Sequence, residues 1–171
     1  MQQMFRLMLA ALVAVAFTHF AGAAMAQGSV KQIPLTAKHI EGFIAAQKDM
    51  ASVAEKMQSN SDKPDPKVQA ELEAIAKKHG FASFSEYDDV AANISMVMAG
   101  IDPETKQYTP ADEAIRQQIK DIEADKSLPA DERKQALEEL NESLKQAQPI
   151  RNRANIELVK KYYEKIESVF E

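Results

Sequence analysis

The chain has 171 residues, with 21 Lys and Arg against 26 Asp and Glu, a net charge of −5, and no Cys. That acidic balance argues against nucleic acid and anionic membrane surfaces, both of which require a basic patch. Without thiols, disulfides, Cys nucleophiles and thiolate metal sites are excluded.

The first 26 residues read as an export signal. Arg6 and the terminal amine are followed by the apolar run Leu7 to Phe17, and Ala24-Met25-Ala26 has the small-x-small form of a cleavage site. The run is too short for a membrane span, which needs about 20 apolar residues, because Thr18 and His19 interrupt it. A lipid anchor on Cys is excluded as well. The expected product is a soluble periplasmic or secreted chain of residues 27–171. Loss of Arg6 leaves 20 basic against 26 acidic residues, a net charge of −6. Four of the eight Met also leave with the leader, which weakens any Met-rich metal-handling reading. The remainder fits one domain able to bury its own core.

Residues 27–34 read as a short exposed lead-in. Thr36 is placed to cap a first helix running to about Gln58, with Leu35 stapling onto Ile40. Ile40, Phe43, Ile44, Met50, Ala51, Ala54 and Met57 share its inward face. Gln47 falls within that face, either as a satisfied core amide or as an amide facing a ligand. Ser59 to Pro66 is turn chemistry, and Asp65 with Pro66 starts a second helix that turns Val68, Leu72, Ile75 and Ala76 inward. Gly80 ends it, with Phe81 packing back on the last turn.

Ser83 to Asp102 has the widest apolar face in the chain: Tyr87, Val90, Ala91, Ile94, Val97, Met98 and Ile101. Ser83 with Glu86 has capping-box form, and Gly100 stands where a left-handed C-cap residue belongs. This is the expected central helix. Met96 lies opposite its main face, as a packing contact with other helices or as an adaptable contact for a partner. Residues 100–109 read as a solvated loop, since the ligand spacing of a calcium loop is absent.

Thr109-Pro110 and Asp131-Glu132 open two helices with narrow stripes, Ile115, Ile119, Ile122 and Leu137, Leu140, Leu144. Their short join at Leu128-Pro129 predicts an antiparallel hairpin over about 110–148. Residues 101–148 hold 12 acids and 7 bases, most of the chain's imbalance. Pro149 separates the last helix, 150–170, which turns Val159, Tyr163, Ile166 and Phe170 inward. Asn152 and Asn155 interrupt its face, so the helix start leans out of the core or its amides line a polar pocket.

The expected fold is therefore an all-α, single-domain bundle of about five helices, in which the hairpin packs against the rest or projects from it. Parts for catalysis are missing: there is no HExxH motif, P-loop, GxSxG elbow or glycine cluster for dinucleotides. Adjacent acids such as Asp88-Asp89 diverge by about 100° on a helix and do not converge on one atom. His39 and His79 could pair with a Met as axial haem ligands, but each sits at the margin or end of its helix. No metal or cofactor is expected.

The segments LTAKHIEGFIAAQKDM and AIAKKHGFASFSEYDDVAANISMVMAG resemble small exported helical proteins of alphaproteobacteria that have no assigned function. That resemblance implies export and helical structure, and it assigns no activity or residue role. The chain also looks like the small periplasmic chaperones of envelope stress in class alone. Their LTxxQ element is unmatched, because Leu35-Thr36 is followed by His39. Two functions are weighed. One is a non-catalytic periplasmic interaction or chaperone-like protein that meets a protein partner through the acidic hairpin. The other is a small-ligand, haem or metal carrier with a pocket between helices at Gln47, Asn152, Asn155 and Met96.

Overall fold

Six helices carry the structure among the described residues. The computed structural model describes residues 30–58 and 66–170. Within them lie α1 (Ala37–Gln58), α2 (Pro66–Lys78), α3 (Phe84–Met98), α4 (Ala111–Ala124), α5 (Ala130–Gln146) and α6 (Ala154–Glu167). The leader with its cleavage after Ala26, the 59–65 turn with Asp65, and the Met57 side chain lie outside the described residues. The all-helical expectation holds. The described residues hold six helices where about five were expected, four in the core and two in the hairpin.

Helix α3 is central, touching α1, α2 and α6. Val90, Ile94 and Val97 are fully buried, and Tyr87 and Ile101 extend the same face. Burial of each such aliphatic side chain stabilises the fold by about 1.5–3 kcal/mol. Ser83 caps α3 by accepting from the Glu86 N–H at 3.2 Å, and the Glu86 carboxylate accepts from the Ala82 N–H at 2.5 Å. The box thus closes one residue earlier than its usual form. At the other end Ala99, in right-handed helical geometry, is the C-cap. Gly100 is not left-handed as expected; a Cβ there would sit 2.5 Å from the Tyr108 ring, so close approach is what demands glycine.

That contact reflects a correction to the 100–109 loop. An isolated antiparallel bridge joins Ile101 and Tyr108, and the Thr109 N–H donates to the Gly100 carbonyl at 2.8 Å. Asp102 accepts from the Glu104 and Thr105 backbone, which folds the tip tightly. Tyr108 packs half-buried on the core.

Gly80 does take a positive φ, 91°, and ends α2 in a Schellman motif. The Phe81 N–H reaches the Ala76 carbonyl at 3.0 Å and the Gly80 N–H reaches Lys77 at 3.1 Å. Phe81 then packs edge-on against Tyr87 at 5.4 Å between centroids. Ile75 and Ala76 are the buried residues of α2.

The core face of α1 is Ile40, Phe43, Ala46, Gln47, Met50 and Val53. Ala51, expected inward, is exposed. At 3.6 residues per turn Ala51 stays near the meridian of Ile40, so the period alone would keep it inward; the buried face instead turns toward Val53 along α1, which meets α2, α3 and α6. Thr36 caps this helix: its Oγ1 accepts from the His39 N–H at 3.2 Å, and His39 Nδ1 accepts from the Thr36 N–H at 3.3 Å. On α6, Val159, Tyr162, Tyr163 and Ile166 are buried, while Phe170 is 55 % exposed beyond the helix end.

Helices α4 and α5 pack on each other and on no core helix. Neither contains a fully buried residue; Ile115, Ile119, Ile122, Leu137, Leu140 and Leu144 are all half-buried along the seam. Both helices begin after Pro110 and Pro129 without a side-chain cap, so Thr109 does not serve as one. Acids in their first turns, Asp112, Glu113, Asp131 and Glu132, complement the positive helix ends instead. Arg133 closes the join by donating to the Asp125 and Leu128 carbonyls at 2.8 and 3.1 Å.

Candidate functional site

Of the four residues singled out from sequence, Asn152 and Asn155 are joined by a hydrogen bond, whereas Gln47 is engaged elsewhere. Gln47, buried on α1, donates to the Tyr87 hydroxyl on α3 at 3.0 Å. Burial pushes the Tyr87 phenol up to about 12. Met96 is half-buried and lies outside the hydrophobic core cluster. Asn152 precedes α6, and its carbonyl accepts from the Asn155 N–H at 2.9 Å.

Asn155 does not lean out of the core; it is 3 % exposed and clamps the lead-in. Its Oδ1 accepts from the Leu35 N–H and its Nδ2 donates to the Ile33 carbonyl, both at 2.8 Å. Asn93 of α3, 2 % exposed, repeats the device two residues earlier. It accepts from the Ile33 N–H at 3.1 Å and donates to the Lys31 carbonyl at 2.8 Å. A third amide points the other way. Gln32 donates to the Pro149 carbonyl at 2.9 Å and accepts from the Arg151 N–H at 2.7 Å. Lys31 also pairs with Asp89. The segment expected to be an exposed lead-in is thus bound along α3 and α6, with Leu35 buried and Ile33 half-buried against the core.

Asn93 could have been found. It lies at i+3 from Val90 and i−4 from Val97, inside the apolar stripe, where a buried amide must find partners. The partners themselves lie about 60 and 120 residues away in sequence and leave no local pattern.

Asp49 of α1 receives both Lys78 Nζ and His79 Nε2 at 2.8 Å. These donors hold its carboxyl down at about 2, with the His79 hydrogen bond the largest cause. The cluster flanks a shallow open hollow of about 270 Å³ between α1 and α2, lined also by Ser52, Glu71 and Ile75. None of the four sequence-chosen residues lines it. His39 is engaged in its cap, and no group of three metal-ligating side chains occurs among the described residues.

The surface that stands apart is the hairpin. Its outer faces present Glu138, Glu139, Glu142, Asp121 and Glu123 to solvent. Among the described residues, no helix is long and apolar enough to cross a membrane. No family model, curated protein or solved structure matches this chain.

Proposed function

We propose that this is a non-catalytic, exported helical interaction or chaperone-like protein whose α4–α5 hairpin contacts a protein partner. The single observation that carries the reading is that the hairpin packs only on itself while projecting dense acidic faces. A surface free of core duty is available for binding, and its charge suits a basic or cationic unfolded partner. The engagement of Gln47, Asn93 and Asn155 by the chain's own groups supports this reading over a small-ligand carrier. An exported chain is expected to begin at Gln27, and N-terminal sequencing of the secreted form checks that start.

Light scattering from a cationic client protein during its heat denaturation tests the activity. The chain is expected to suppress aggregation, less so as salt rises, because charges are screened beyond about 10 Å at 0.1 M. The triple variant Glu138→Gln, Glu139→Gln, Glu142→Gln is expected to lose most of the effect. Equal suppression by variant and wild type, at every salt concentration, would remove the hairpin from the function.

A further inference from the structure

Residues 31–35 are held as a bound peptide is held, by side chains that read its backbone. The bonded groups belong to residues 31, 33 and 35, the two-residue period of an extended strand. Each of Asn93 and Asn155 presents one amide carbonyl and one amide NH2, the same donor and acceptor pair that a neighbouring strand would present. The segment therefore gains strand-type pairing although no sheet occurs among the described residues. Apart from one intrahelical bond from Asn93 to the Asp89 carbonyl, the two amides are directed at this segment alone.

Backbone recognition with alternating apolar anchors is how grooves accept extended peptides. Here the anchors are Ile33 and Leu35, two residues apart, and Pro34 between them is exposed and lowers the entropy cost of an extended chain. We propose that the groove between α3 and α6 is a binding site for an extended peptide with branched apolar residues at alternate positions, filled in cis by residues 31–35. The site is distinct from the hairpin surface and does not depend on it. An occupant in trans must compete with a tethered segment whose effective concentration is in the millimolar range. Displacement therefore favours a partner that is itself tethered or abundant.

The full chain carries the test. Ile33→Gly with Pro34→Gly weakens the resident segment while leaving Leu35, Asn93 and Asn155 in place. The synthetic peptide Val-Lys-Gln-Ile-Pro-Leu-Thr, added at millimolar concentration, is expected to shift the Asn93 and Asn155 side-chain amide resonances saturably in this variant. In wild type the same addition is expected to shift them far less. Unmoved amide resonances in the variant overturn the proposal. Hydrogen exchange on wild type supplies an arm that does not depend on the variant's folding. The Ile33 and Leu35 amides are expected to exchange at least about tenfold faster than Ile94, by opening of the segment alone. Exchange at the Ile94 rate would make the segment an inseparable part of the core and overturn the site.

Discussion

Ile94 and Met96 are two residues apart and have opposite fates. Ile94 is fully buried where α3 meets its neighbours, whereas Met96 is half-buried outside the core cluster. Ile94→Ala is expected to cost about 2–5 kcal/mol through lost transfer energy and the cavity left behind. Met96→Ala is expected to cost clearly less, and urea midpoints at unchanged slope check both. Asp49 gives a pH prediction. Its carboxyl, ordinarily near 3.8, is held at about 2 in the folded chain. A depressed folded value means a contribution present above the unfolded value and lost as pH falls through the folded one. The stability gap between wild type and Asp49→Asn is therefore expected to be full at pH 5 and to close between about pH 4 and pH 2. Caps and apolar stripes at this scale were legible because each is a local pattern: Ser83 with Glu86, Gly80 with Phe81, Thr36 at the start of α1. The amide clamps and the Asp49–His79 contact were not, since their partners meet only after the helices have packed.

Each helix was visible as a periodic apolar stripe, and errors gathered at the ends. The last helix begins at Ala154 rather than 150, where the Pro149 carbonyl and the Arg151 N–H are engaged by the Gln32 side chain instead of by a helical turn. Helix α4 begins at Ala111, one residue after the proline expected inside its first turn. The hairpin was legible from two narrow stripes and a short join, and its independence follows from the same narrowness. A stripe of three side chains per helix covers one neighbour and leaves nothing for a second. With no fully buried residue and no core helix beside them, α4 and α5 are expected to open at lower free energy than α3. Hydrogen exchange reads this directly: amides of 115–144 should exchange faster than those of 87–98, and equal protection would tie the hairpin to the core.

At the scale of the whole molecule, the separation of core from hairpin decides how damage spreads. The core is a four-helix unit closed by Leu35, Phe81 and Tyr163, and none of its buried side chains comes from 111–146. The links between the two parts are the 101–110 loop and the 147–153 connection. The loop is fastened to α6 by Lys106, which pairs with Glu164 at 2.9 Å and lies 3.8 Å from the Tyr163 ring centroid. The connection is fastened to the N-terminal segment through Gln32. Both roots are therefore held by core groups, so the core can stay folded while the hairpin melts. Leu137→Asp with Leu140→Asp places two carboxylates in the seam, where burial of an unpaired charge is costly. The double variant is expected to lose the helical circular dichroism of about 31 residues, the combined length of α4 and α5. Its core transition, followed by tyrosine fluorescence from Tyr87, Tyr162 and Tyr163, is expected to stay within about 0.5 kcal/mol of wild type, as for surface changes. A core that unfolds together with the hairpin would show that the two parts share one cooperative unit.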